Sequence, residues 1–227
     1  MADVKPRIPY RQLQAQETKR RIAVAARRLF AEHGYATTSI ESIAEEVGVA
    51  PRTVYAAFGT KKAILGAICD QWLEESKTFL LVQEAIAASD PEARLGLLAR
   101  ATRCQWERGV DIVAMLKVAA ATDAEINRML KGWKAERQNA MGVVLSGMRE
   151  AFRPGMDMAT ASAITGALTG PEIFESLVLD SGWTPDAHEA WVHRTLVDLL
   201  LAPSSEGPSS EGPSSEGKAA VRPRRAG

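Results

Sequence analysis

The sequence is poor in the residues that most site chemistry requires. Only two cysteines occur in 227 residues, Cys69 and Cys104, and they do not form a C-x-x-C pair. That is too few for a disulfide framework or a thiolate metal site; the pattern reads as two small thiols inside apolar helices. Histidine is as scarce: His33, His188 and His193 do not pair at i, i+4, and H-E-x-x-H is absent. There is no G-x-S-x-G elbow, no Walker loop and no G-x-G-x-x-G following a strand pattern. No enzyme, metal or cofactor is therefore expected. No run reaches the roughly 20 apolar residues of a membrane span. The opening MADVKPRIPYRQLQ lacks the apolar core of a signal peptide, so a cytoplasmic protein is expected.

A strong overall charge is missing too, but the zero balance hides an asymmetry. Residues 1–62 hold 11 Lys and Arg against 6 Asp and Glu; the remainder holds 17 against 22. A basic head on an acidic body suits a phosphate-bearing partner at one end only.

What is present is helical periodicity, clearest in Thr38–Lys62. Ile40, Ile43, Ala44 and Val47 follow the i, i+3, i+4, i+7 rule of one helix face. Thr38 with Glu41 fits a capping box, and Gly48 supplies a left-handed stop. Pro51 opens a second short helix, with Val54 and Phe58 turned inward. Two short helices around a Gly-Val-Ala turn make a helix-turn-helix candidate, whose outer face carries Arg52, Thr53 and Tyr55.

The stretch from Arg21 to Leu65 resembles the DNA-binding domain of the TetR family of bacterial transcriptional repressors. The matching residues are Ala25, Leu29, Phe30, Gly34, Tyr35, Thr38, Ile43, Ala44, Gly48, Val49, Thr53, Tyr55, Phe58 and Lys61. The resemblance implies that Lys61 contacts a phosphate and that the start of the first helix, around Arg21, lies near the DNA backbone. Thr38 and Ser39 would anchor the backbone at the next helix start, and Arg52 is the expected base contact. The pattern departs from the family at Ala50, where a serine or threonine cap is more usual. It departs again at Ala56, Ala57 and Glu41 on the DNA side, so the reading face is sparse.

The expected organisation is all-α, about nine helices in total. Residues 1–12, with Lys5, Arg7 and Arg11, read as a mobile basic arm. Residues 13–60 form the three-helix head, its first helix running from Leu13 to His33 with Arg27 and Arg28 solvated. Residues 61–202 form a larger helical body. Its helices are expected from Lys61 to about Val82, after the Asp90 cap to Gly109, and over 110–120. Others run from Ala124 to about Phe152, Met158 to about Asp180, and Thr184 to about Leu201. Arg94, Arg100 and Arg103 are read as facing outward. From residue 203 the PSSEG repeat cannot bury enough apolar surface to offset ordering, and reads as a disordered tail.

Two tasks are expected of the body. The final two helices carry small residues at Ala159, Ala161, Ala163, Gly166, Ala167 and Gly170, and in the family the corresponding helices form the homodimer interface. The helices bearing Trp106, Met115, Met129, Trp133 and Met141 surround a ligand cavity in the family. The implied function is a repressor that binds a palindromic operator as a homodimer and is released by a small, largely apolar effector. The alternative is a helical ligand-binding or scaffold protein without operator binding.

Overall fold

The computed structural model describes residues 10–203. Most of the expected arm and all but the first residue of the expected tail lie outside that range. Among the described residues the chain is helical, with one isolated bridge between Phe152 and Leu201 and no strand. No described helix is long and apolar enough to cross a membrane.

The head comprises α1 (Tyr10–His33), α2 (Ile40–Val47) and α3 (Pro51–Phe58). Helix α1 begins three residues before the expected Leu13, so Tyr10, Arg11 and Gln12 belong to it. Ile22, Ala26 and Phe30 of α1 bury against Ile43, Ala44 and Val54, the apolar stripes that the 3.6-residue period marks out. Helix α4 (Lys61–Ser76), capped by Thr60 accepting from the Ala63 N–H, leads from the head into the body.

The body comprises α5 (Thr78–Ala87), α6 (Pro91–Ala120), α7 (Ala124–Ser146), α8 (Met158–Leu168), the single turn α9 (Pro171–Phe174) and α10 (Pro185–Leu200). Its partition differs from expectation at four joints. Helix α4 stops at Ser76 because Lys77 takes a left-handed conformation (φ 54°). Ser76 and Thr78 join hydroxyls across that corner at 2.8 Å. The expected Met158–Asp180 helix breaks at extended Gly170 and continues as α9 and a π-helical turn over Glu175–Asp180. Pro171 starts a new helix instead of bending an old one. Helix α7 ends at Ser146, six residues early, and its cap is Asp123, which accepts from Glu125 and Ile126.

The fourth difference sets the geometry of the body. The two helices expected on either side of Gly109 are one element, α6, kinked where Gly109 leaves helical angles (φ −153°, ψ 16°). A Cβ on residue 109 would lie 2.0 Å from Nε1 of Trp72 on α4. Trp72 is 2% exposed and its Nε1–H donates to the Gln105 carbonyl at 2.8 Å. The indole therefore fills the space a side chain would need, and it is pinned there. Trp72 also meets Trp106 and Trp133, with ring centroids 6.0 and 5.5 Å away.

Arg94 corrects a reading of helix charge. It is buried rather than facing outward, and its guanidinium donates to the carbonyls of Ile86, Ala88 and Val144 near the C-terminal ends of α5 and α7. Those orphan carbonyls carry the negative end of each helix dipole, so a buried arginine is satisfied there without a carboxylate.

Gly109→Ala is expected to destabilise the protein by about 1–3 kcal/mol, the usual range for overpacking a filled core. Denaturant unfolding measures it; an unchanged midpoint would mean that Trp72 is free to move aside.

Candidate nucleic-acid interface and ligand cavity

The outer surface of the head is assembled from the two short helices. Ser39 caps α2: its Oγ accepts from the Ser42 N–H at 3.0 Å, while Ser42 Oγ accepts from the Ser39 N–H at 3.2 Å. The box is thus Ser39–Ser42 instead of Thr38–Glu41. Gly48 ends α2 in the left-handed region (φ 73°), and the Val49 N–H reaches back to the Ala44 carbonyl at 2.9 Å. Ala50 lends no side-chain cap to α3, whose first turn rests on Pro51.

Helix α3 buries Val54 and turns the other way Arg52, Tyr55 and Ala56, all exposed, with Thr53 half-buried beside them. Tyr55 OH lies 3.4 Å from Glu41 Oε1, so the carboxylate on this face leans on the phenol. Arg52, Tyr55, Ser39 and Glu41 are the polar groups this surface offers, and only Arg52 has a bidentate fork for a base edge.

Three other expected contacts brace the head. Thr38 is 4% exposed, and its hydroxyl points at the Gly34 and Leu29 carbonyls, at 2.9 and 3.2 Å. Arg21 Nη2 donates to the Val47 carbonyl at 2.7 Å, closing the C-terminal end of α2. Lys61 Nζ donates to the carbonyls of Tyr35, Ala36 and Thr38 at 2.6, 3.2 and 2.9 Å, and lies 4.5 Å above the Tyr35 ring. Partial burial lowers its pKa. All three ammonium protons are taken, so Lys61 works as a knot on the loop that enters α2.

One ionic tie joins head and body, and a second fastens the start of α4 to the start of α7. Arg27, read as solvated, forks onto Asp111 of α6 (Nε–Oδ2 2.8 Å, Nη2–Oδ1 2.7 Å) and also donates to the Arg108 carbonyl at 2.7 Å. Lys62, at the start of α4, pairs with Glu125 and lies 3.7 Å from Asp123, both at the start of α7. Periodicity alone had no means to find partners 84 and 63 residues away.

In the body, a cavity of about 230 Å³ opens where α4 and α5 meet α6 and α7. Its walls are mostly apolar, among them Leu73, Val82, Leu98, Ala140 and Val144, with Phe79 at the corner that Lys77 creates. Of the five expected lining residues, Trp133 and Met141 are on the wall. Trp106 is fully buried behind Trp133 and donates to the Thr169 carbonyl at 2.9 Å. Met115 packs in the core at the head–body seam, sharing a small cleft with Phe30, Tyr35 and Asp111. Met129 packs half-buried against the same core. Thr102, Gln105 and Arg137 also line the cavity; as polar residues they carry no apolar signal that marks a cavity wall in the sequence. Nearby, burial pushes the Cys69 thiol up to about 12, so it remains an unreactive thiol.

Residues 22–68, from the middle of α1 to the middle of α4, match the model of the tetR family of bacterial regulatory proteins. The head therefore resembles the DNA-binding domain of that family. An uncharacterised HTH-type transcriptional regulator of Bacillus subtilis, YerO, is 34% identical over 77 residues, covering 34% of this chain and 27% of that protein. The match thus spans little more than a quarter of that relative's length. Beyond the head, the fold is shared with NalD of Pseudomonas aeruginosa, described as the secondary repressor of the MexAB-OprM multidrug efflux pump. The TM-score is 0.64 at 21% identity, over 84% of this chain and 99% of that one. A complex of SmeT with triclosan gives a TM-score of 0.65 at 19% identity, over 86% and 97%. These relatives are transcriptional regulators rather than enzymes.

Lys61→Met should leave three carbonyls without their donor and lower stability by about 1–3 kcal/mol. The salt dependence of DNA binding should stay unchanged. Unaltered stability with a salt slope smaller by about one would assign Lys61 to a phosphate instead.

Proposed function

We propose that the protein is a cytoplasmic, homodimeric transcriptional repressor that binds a palindromic operator and is released by a small, largely apolar effector. The observation that carries this reading is the path of α4. At one end Lys61 knots the helix-turn-helix; further along, Leu73 forms cavity wall and Trp72 stacks on the wall residue Trp133. The helix that carries the head is therefore also a wall of the effector site. The named repressor NalD and the triclosan-bound SmeT, which share the fold, support both halves of the reading.

Dimerisation runs through α8 and α10. Ala159, Ala163 and Ala167 are exposed on α8, and Trp183 and Leu199 remain 37% and 39% exposed before and along α10. Small and apolar side chains on adjacent helices suit a four-helix bundle about a two-fold axis. Such a dimer presents two α3 helices about 34–36 Å apart, one turn of duplex. Arg52 reads a base edge, Tyr55 and Thr53 meet phosphate or a thymine methyl, and Ser39 with its helix start anchors the backbone. Effector binding favours a body conformation in which α4 tilts and the two heads leave that spacing.

Binding of the full chain to operator variants, measured by fluorescence anisotropy across a salt series, tests this. Wild-type affinity should fall steeply with salt. Arg52→Ala should cost about 1–3 kcal/mol of discrimination at one base-pair position of each half-site. An equal loss for every variant removes the base-reading role. Wild-type protein that binds no duplex at any salt concentration leaves the scaffold alternative.

A further inference from the structure

Arg137 is the one basic side chain on the cavity wall, and its charge has no protein partner. Among the described residues no carboxylate lies within ion-pair distance of it. The acid that acts on it from further off, Glu172, is itself held by Lys117 at 2.7 Å. Its Nη2 is spent on Thr169, donating to the hydroxyl at 2.8 Å and to the carbonyl, and its guanidinium carbon stands 5.4 Å from the Trp106 ring centroid. Those contacts hold the fork still. Nε and Nη1 meet no acceptor among the described residues.

A second polar group on the same walls is also unengaged. Gln105 is only 4% exposed, lines the cavity, and its carboxamide makes no hydrogen bond among the described residues. Thr102, by contrast, has its hydroxyl proton committed to the Leu98 carbonyl at 2.9 Å. The acidic residue on the lining, Glu136, is exposed. Burial lowers the Arg137 guanidinium to about 10, still charged at neutral pH. Arg137 is half-buried, and its free N–H groups and the Gln105 amide line the cavity rather than being sealed in the core, so both are open to a ligand there.

We propose that the effector is an amphiphilic anion: an apolar body in the cavity of Leu73, Val82, Leu98 and Val144, and a carboxylate or similar acidic group paired with Arg137 and donated to by Gln105. This rests on the cavity being the effector site. An acid fits better than a neutral ligand because the guanidinium is charged and its Nε and Nη1 donors are open, and either can make a charge-assisted hydrogen bond to a carboxylate oxygen. A cationic ligand would meet Arg137 as a like charge.

The test compares octanoate, 1-octanol and octyltrimethylammonium, alike in chain length and different in head charge. Each is titrated into the full chain by calorimetry, with quenching of the Trp72–Trp106–Trp133 cluster as a second readout. Octanoate should bind at least about tenfold more tightly than 1-octanol, and the ammonium most weakly. Arg137→Met should erase the advantage of the acid while leaving 1-octanol within about threefold, and Arg137→Lys should keep part of it. Equal affinities of acid and alcohol for the wild type, or an acid preference that survives Arg137→Met, overturn the proposal and leave the cavity reading intact. The wild-type comparison holds even if Arg137→Met fails to fold through loss of the Thr169 bonds. If none of the three probes binds, the effector cavity falls, and this proposal with it.

Discussion

The contact between Trp72 and Gly109 determines how the two halves of this molecule sit together. The indole of α4 enters α6 at the only kind of residue that leaves it room, and a single N–H···O bond to Gln105 fixes it. Below the kink, α6 lines the cavity through Leu98, Thr102 and Gln105. Above it, α6 turns to hold Arg27 of the head through Asp111 and the Arg108 carbonyl. A shift of Gln105 thus reaches the head by two routes: through Trp72 along α4, and through the kink along α6. Close-packed interiors respond to such shifts by changing state as a unit rather than by yielding locally.

The head was legible because its signals are local. The spacing of Ile40, Ile43, Ala44 and Val47, the stop at Gly48 and the start at Pro51 each report on backbone within one or two turns, and α2 and α3 fall where they indicate. The same proximity explains why Arg28 of α1, which is exposed, was read correctly while Arg27 was not. Periodicity says which side of a helix is wet; it does not say what stands opposite. Arg27 faces an aspartate 84 residues away, Arg94 a carbonyl 50 residues away, and Lys61 a loop that folds back over it. Each is a long polar side chain whose role is settled by tertiary neighbours.

Helix boundaries in the body divide the same way. Asp157 and Thr184 are caps that accept the expected backbone N–H groups, so α8 and α10 start where the sequence indicates. Lys77 carries no such mark: a lysine in a left-handed corner is paid for by packing of α5 on α6, and without it the cavity would lose the corner that carries Thr78 and Phe79. Gly109 did carry a mark, but glycine signals both a helix end and a close approach, and here it is the approach that matters.

The functional account joins a braced head with a sparse reading face to a body that holds an apolar cavity between α4, α5, α6 and α7. Its central claim is that the head acts on duplex DNA as one half of a symmetric pair. Selection of bound duplexes from a random pool by the full chain, followed by sequencing, measures this directly. The account predicts an enriched inverted repeat whose half-site centres lie about one helical turn apart. Enrichment of a lone half-site, or of no motif at all, would contradict it.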